Sequence, residues 1–294
     1  MEVGGRPPGA GPAPGSPGTV RGVLADRLVA VVLVSGVLHS AGAAGIWATS
    51  GTPIAALQVH VTAAVVLAGV LVAHVWGRRQ RPRPADSDRR SVLAAGALAA
   101  GSLAVWGVSE AVWRVTGAPG ARRRGTGSHE RGTDEPTAMP VTQWFTDEVP
   151  TVPERSIEVR AGGRTVRVPV ADLDRQDTVR AVLDCTGGWY AAQDWGGVRL
   201  DRLLTGLFGP GVLADGDRSI EFVSVTGYRR RVPVGDAADV LLATSAAGVP
   251  LSAGHGAPAR LVAPGRRGVW WVKWVTRVEV LDSPSWLQPP FPLQ

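Results

Sequence analysis

The sequence predicts two unlike parts: an all-α membrane region of three transmembrane helices, then a mixed α+β, β-rich soluble domain. Three observations carry this. Apolar residues gather into three long runs before residue 116. From 154 onward, short alternating segments are separated by Gly and Pro. The arginines bunch beside the apolar runs and not over one soluble face. A length of 294 residues leaves room for one or two domains and excludes a large multi-cofactor assembly. A wholly soluble chain is excluded by the runs. The 31 basic and 25 acidic residues, net +6 at pH 7, are read as a topology signal, with no nucleic-acid partner expected.

Taken in order, residues 1–21 are mostly Gly, Pro and Ala and are expected to be a disordered tail. The membrane region covers 22–116. Its first run, Leu24 to Ala48, contains Asp26, Arg27 and His39; its second, Ile54 to Trp76, contains His60 and His74; its third, Val92 to Val115, is rich in Ala and Gly, with Glu110 near its end. Each passes the length of about 20 residues that crosses a bilayer. Three buried helices of a soluble protein are the alternative, and runs this uninterrupted argue against it. Between spans two and three lie Arg78, Arg79, Arg81, Arg83, Arg89 and Arg90, whereas the loop between spans one and two is uncharged. The positive-inside rule then puts the arginine loop and the N-terminus in the cytoplasm and everything after span three on the extracytoplasmic side. Arg122, Arg123 and Arg124 pull weakly the other way.

Residues 117–150 read as a Gly/Pro-punctuated linker and 151–294 as the soluble domain. Strands are expected at Arg164 to Val170, Val179 to Leu183, Ser219 to Val225, Tyr228 to Val234, Ala259 to Ala263 and Val269 to Leu281, with short helices at Leu200 to Leu207 and Asp236 to Ala243.

Two segments carry chemistry. The single cysteine, Cys185, cannot form an intrachain disulfide. It sits in Leu183-Asp184-Cys185-Thr186-Gly187-Gly188-Trp189, where a strand gives way to glycines. It can be a small buried hydrophobe, or a thiolate presented to a cleft at a strand end. A thiolate suits a soft or high-valent transition metal, but one cysteine builds neither an iron-sulfur cluster nor a structural zinc site, so a cofactor must supply the other ligands. The second segment runs from Gly254-His255-Gly256-Ala257-Pro258-Ala259-Arg260 to Val272-Lys273-Trp274. Lys273 is the only lysine in the chain and falls in a Trp/Val run that should be half buried. A charge there is costly unless paired, and a buried anion such as a phosphate would pair it.

The joint order and spacing of Leu-Asp-Cys-Thr-Gly-Gly-Trp, His-Gly-Ala-Pro-Ala-Arg-Leu-Val-Ala-Pro-Gly and Val-Lys-Trp resembles the sulfite oxidase family of molybdopterin-dependent oxidoreductases over roughly residues 136–282. Asp194-Trp195-Gly196-Gly197-Val198-Arg199-Leu200 and Thr226-Gly227-Tyr228 add to the likeness. The resemblance implies a sulfite-oxidase-type fold, an enzyme, and molybdenum bound through a single pyranopterin. It makes Cys185 the protein ligand to molybdenum and the catalytic residue. His255, Arg260, Val272 and Lys273 would hold the pterin and its phosphate, with Met139 to Trp144 wrapping it. Departures from sulfite oxidases bear on substrate. Pro136, Thr137 and Met139 occupy the stretch where those enzymes carry a substrate-binding arginine, no active-site tyrosine follows Val-Lys-Trp, and the C-terminal dimerisation domain is lacking. The sequence is more similar to periplasmic methionine sulfoxide reductase subunits and membrane-fused molybdopterin proteins. The implied activity is two-electron oxygen-atom transfer on a small molecule, either sulfoxide or N-oxide reduction or an oxidation. Electrons would be exchanged with the quinone pool or a redox partner protein. Because that cofactor is inserted in the cytoplasm, the Arg89-Arg90 pair ahead of span three reads as a twin-arginine export signal.

Histidines inside a bilayer are functional by default. His60 and His74 share a helix face, a spacing that resembles the helix of di-haem cytochromes b, but a di-haem site needs four histidines. His39 and His60 lie at depths that agree within about 5 Å, so one haem b between them is feasible. His74 is left for quinone or a second haem; the alternative is histidines bonded to neighbouring helices. Two other classes stay open: a membrane-tethered binding or scaffold module without molybdenum, and a b-type haem electron-transfer subunit.

Overall fold

The computed structural model describes residues 17–43, 47–49, 52–77, 89–143, 148–152, 156–173, 177–214, 216 and 218–289. The chain forms two compact units, residues 1–121 and 122–294.

In the first unit, α1 (Pro17–Ser40) leads to a hairpin of β1 (Trp47–Thr49) and β2 (Thr52–Ile54), then to α2 (Ala56–Gly77) and α3 (Arg89–Thr116). Three helices, Gly22–Ser40, Ala56–Gly77 and Arg89–Thr116, are long and apolar enough to cross a membrane. Small and polar residues join α1 to α2. Ser35, His39, Ala56 and Ala63 are buried, and the His60 ring lies against Gly36 with Nδ1 2.8 Å from the carbonyl oxygen of Val32. No residue of α3 is buried. Apolar side chains need no protein cover where lipid is the solvent. Ser35, Ser102, Ser109 and Thr116 each return their hydroxyl to the carbonyl four residues earlier, which satisfies them within their own helix.

Two boundaries differ from expectation. Helix α1 opens at Pro17, a position where proline costs no hydrogen bond, so residues 17–21 of the expected tail are helical. It stops at Ser40 rather than running to Ala48, because Gly42 and Ala43 turn back onto the carbonyls of His39 and Leu38 and Trp47–Thr49 enters the hairpin. Residues 1–16 and Arg78, Arg79, Arg81 and Arg83 lie outside the described residues, while Arg89 and Arg90 open α3.

The second unit holds β3 (His129–Glu130), β4 (Ser156–Ala161), β5 (Arg164–Pro169), β6 (Asp177–Asp184), β7 (Trp189–Arg199), α4 (Leu200–Phe208), β8 (Ser219–Ser224), β9 (Arg229–Pro233), β10 (Leu241–Ala246), β11 (Val249–Pro250), β12 (Arg260–Val262) and β13 (Val275–Leu281). They form two sheets. One runs β5-β4-β13-β8-β9, antiparallel except for the parallel β4–β13 pair. In the other, β6 lines one side of β7, and β10 and β3 share its opposite side; β10 also carries β11 and β12. Alternation along β4 points Ile157, Val159 and Ala161 inward and leaves Glu158 and Arg160 on the outer face. Leu200, Leu203 and Leu204 form the buried stripe of α4. Trp195, Leu241, Leu242, Leu261, Phe222 and Val278 join them in one contiguous core.

The helix expected at Asp236 to Ala243 is a 3₁₀ turn at Val234–Asp236 followed by strand β10. Leu241, Leu242 and Ala243 are buried on both faces between β7 and β12, and such a continuous apolar run has no strand periodicity. The strand expected from Val269 begins at Val275, after a 3₁₀ turn at Gly268–Trp270 and a left-handed Trp274 at φ 52°. The stretch read as linker contains β3 and 3₁₀ turns at Pro119–Arg122 and Pro136–Ala138.

Candidate functional site

Cys185 is the first residue past β6, half-buried, at a turn closed by Cys185 N–H to Trp189 O (2.9 Å) and Gly188 N–H to Cys185 O (3.2 Å). The Gly187 N–H points to the sulfur, with N···Sγ 3.4 Å. The turn before Trp270 lies against this residue. A Cβ on Gly268 would stand 3.0 Å from Cys185 Cα and 3.1 Å from the Asp184 carbonyl oxygen, so any larger residue presses on the cysteine backbone.

The second segment is set by a 3₁₀ turn at Ala253–His255. His255 is buried with both ring nitrogens engaged. Nε2–H donates to the Met139 carbonyl (3.1 Å), which can only accept, so Nδ1 accepts from the Ser252 hydroxyl (2.8 Å). Gly256 takes φ +107°, and a Cβ there would press on Arg260 Cβ at 3.1 Å and Lys273 Cα at 3.2 Å. This lets the start of β12 at Arg260 and the backbone of Lys273 approach the same turn.

Arg260 is 2% exposed. Its guanidinium lies 5.1 Å from the Trp195 ring centre and 5.6 Å from that of Trp271, and Nη1 donates to His255 O (3.1 Å), but its buried Nε has no partner. Lys273 Nζ donates to Gly254 O (2.7 Å) and Thr142 O (2.9 Å) and lies 5.1 Å from the Trp274 ring centre. The left-handed turn at Trp274 directs both side chains to the same 3₁₀ turn, with Trp274 Nε1–H donating to Ala253 O at 2.7 Å. None of the ion pairs among the described residues includes Arg260 or Lys273. Burial pushes Arg260 down to about 10 and Lys273 down to about 7; Arg260 also depresses Lys273, and an ionised Cys185 opposes both shifts. His255 is lowered, first by burial and then by these cations, against the opposing bond to Met139.

Thus the structure brings Cys185, His255, Arg260 and Lys273 into one neighbourhood. Val272 is fully buried and its carbonyl accepts from Leu261 N–H, which makes it part of the packing behind the site. Met139 to Gln143 crosses the same neighbourhood: Met139 O meets His255, Thr142 O meets Lys273, and Thr142 Oγ1 accepts from Trp189 Nε1 at 2.9 Å. Trp144, the last residue of the expected wrapping segment, lies outside the described residues. Thr142 falls within the expected Met139 to Trp144 segment; sequence reasoning missed Ser252 and the Trp195–Trp271 pair, whose rings meet edge-on at 5.4 Å. The Trp-rich run beside Lys273 was the available signal for the last.

Two buried cations without a carboxylate call for an anion, and Arg260 Nε keeps an unused donor for one. Among the described residues no group of three or more His, Cys, Asp or Glu side chains is arranged to hold a metal, so those residues offer Cys185 no set of co-ligands. A phosphate-bearing, metal-chelating cofactor fits both features.

A match to a protein family agrees with this chemistry. Residues 148–287 match the family described as the oxidoreductase molybdopterin binding domain. Among solved structures, the chain is similar to the sulfane dehydrogenase SoxCD from Paracoccus pantotrophus, at 25% identity and a TM-score of 0.37, over 44% of this chain and 38% of that one. It therefore spans well under two thirds of that protein's length. No curated protein matches the chain.

Proposed function

We propose, since residues 148–287 belong to the molybdopterin-binding oxidoreductase family, that this enzyme is a membrane-anchored, extracytoplasmic molybdenum oxidoreductase that acts on a small molecule. The carrying observation is the pair of buried cations, Arg260 and Lys273, paired with no carboxylate among the described residues and coupled electrostatically to the only cysteine. Arg260 and Lys273 bind the cofactor's phosphate, and Cys185 gives the metal its protein ligand. When bound, the molybdenum-pyranopterin supplies two-electron oxygen-atom transfer, as sulfoxide or N-oxide reduction or as oxidation of a small substrate. His255 holds the Met139 carbonyl and so keeps the Met139–Gln143 segment over the site. Trp195 and Trp271 shield the Arg260 guanidinium from water, which strengthens its hold on an anion.

Three apolar helices and the arginines between the second and third support anchoring, with the soluble domain outside. Arg89-Arg90 serves as the twin-arginine signal for the folded domain, and electrons pass to or from the quinone pool or a redox partner protein. Metal analysis of the full chain from a molybdopterin-producing host tests the assignment. About one molybdenum per chain is expected, lost in Cys185→Ala, because a single thiolate is the only protein ligand proposed. Absence from the wild type would leave a metal-free binding module. Arg89→Gln/Arg90→Gln should leave the domain protected from protease in spheroplasts.

A second reading places a haem b between His39 and His60; against it stands the contact of His60 Nδ1 with the Val32 carbonyl at 2.8 Å, which gives the ring a partner on the neighbouring helix. A reduced-minus-oxidised spectrum that loses its haem band in His60→Leu tests it.

A further inference from the structure

Asp184, the residue before Cys185, is 6% exposed and its carboxylate takes three side-chain donors. Oδ2 accepts from Arg124 Nε at 3.1 Å and from the Thr126 hydroxyl at 2.9 Å; Oδ1 accepts from Arg267 Nη1 at 2.6 Å. The donors come from two remote places, the arm ahead of β3 and the turn ahead of Trp270. The main chain repeats the arrangement. Ser128 Oγ donates to Cys185 O (3.3 Å) and His129 N–H to Gly188 O (3.1 Å) from the arm, while Arg267 bridges to Asp184 from the turn.

Strand β6 stays paired with β7 as far as Asp184 opposite Tyr190 and then turns back into β7 through residues 185–188, with Cys185 N–H on Trp189 O. Where the sulfur stands depends on the orientation of that turn, and Asp184 braces it from both flanks. A buried carboxylate with cationic partners adds little net stability over an apolar replacement, but its bonds are directional. Groups that orient a metal ligand from behind matter to the metal almost as much as the ligand does.

We propose that Asp184 is a positioning residue for the Cys185 sulfur, with Arg124, Thr126 and Arg267 as its clamp. The clamp holds the Gly187 N–H on the sulfur and keeps the cysteine from swinging out. This proposal rests on the molybdenum reading for its purpose but not for its test.

Cys185 is the only cysteine, so alkylation of the metal-free full chain by iodoacetamide reports on this sulfur alone. The rate is read on its high-pH plateau, where the thiol is wholly thiolate and its acidity no longer enters. Asp184→Asn should label about tenfold faster, the equivalent of one lost charge-assisted hydrogen bond in the cost of opening the turn. Thr126→Val, which keeps both arginine pairs, should label faster by a smaller factor. In molybdenum-loaded protein the sulfur-to-metal absorption band should move in both variants while far-UV circular dichroism stays unchanged. Plateau rates equal to wild type in both variants would overturn the clamp, and if Asp184→Asn fails to fold, Thr126→Val decides alone. Wild-type protein without molybdenum sinks the enzyme reading, while the labelling rates still decide the clamp.

Discussion

Lys273 donates to the carbonyl oxygen of Thr142, 131 residues earlier in the chain, at 2.9 Å. A buried ammonium thereby joins the segment between β3 and β4 to the turn at Gly254, its other acceptor at 2.7 Å. Both acceptors are neutral, so the positive charge has no carboxylate partner among the described residues, and the first two predictions follow from that.

Replacing Lys273 with Met removes the charge and keeps the length of the side chain. Molybdenum content should fall about tenfold or more, the loss expected of a charge-assisted anchor. The metal-free protein should change stability by no more than about 2 kcal/mol, because relief of the buried charge offsets two carbonyls left without a donor. Metal analysis and urea unfolding of the same preparations separate the two effects.

Burial lowers Lys273 to about 7 from its ordinary 10.5. Between those values the unfolded chain binds a proton that the folded metal-free domain has released, so stability should rise as pH rises from 7 towards 10. His255, also lowered, adds a rise of the same sign below its ordinary 6.5. Urea midpoints at pH 7 and pH 9 should therefore climb in wild type and stay level in Lys273→Met. A midpoint that falls with pH would contradict the burial of an unpaired lysine.

Gly268→Ala places a methyl group 3.0 Å from Cys185 Cα and 3.1 Å from the Asp184 carbonyl oxygen. Backbone must shift to admit it, at a cost of about 1–3 kcal/mol. The shift falls on the cysteine, so molybdenum retention should drop further than the melting midpoint alone implies. Gly206→Ala, on α4 with nothing within 4 Å of its Cβ position, is the control.

Trp195 is fully buried, and its indole N–H donates to Ala181 O at 3.2 Å while its ring faces Arg260. Trp195→Ala should cost about 3–5 kcal/mol in urea unfolding. Trp195→Phe should retain most of the packing and lose only the indole hydrogen bond, because Ala181 stays paired opposite Gln193 in the sheet, for a loss of about 0.5–1.5 kcal/mol.

Much of this arrangement was legible in the sequence because its signals are local. Uninterrupted apolar runs give the three helices, glycines after Cys185 give the strand end, and one lysine in a Trp/Val run marks a buried cation. Strand β7 was missed because Gly196-Gly197 and Asp194 break its pattern, although Gly197 pairs opposite both Asp177 and Ala243 inside the sheet. Strand β10 was read as helix because both its faces are covered. The partners of His255 were illegible for another reason: the Met139 carbonyl is a backbone atom 116 residues away, and no side-chain type announces it.

The parallel pairing of β4 with β13 sets an order of events in synthesis. The earliest strand of the five-stranded sheet finds its neighbour, Val159 opposite Val278, only when the chain has been made to the far end of the domain. Until then β4 has β5 alone, and a lone hairpin is marginal in water. The ribosome therefore delivers all three apolar helices before this sheet can close, and the soluble domain must be guarded from aggregation for most of its translation.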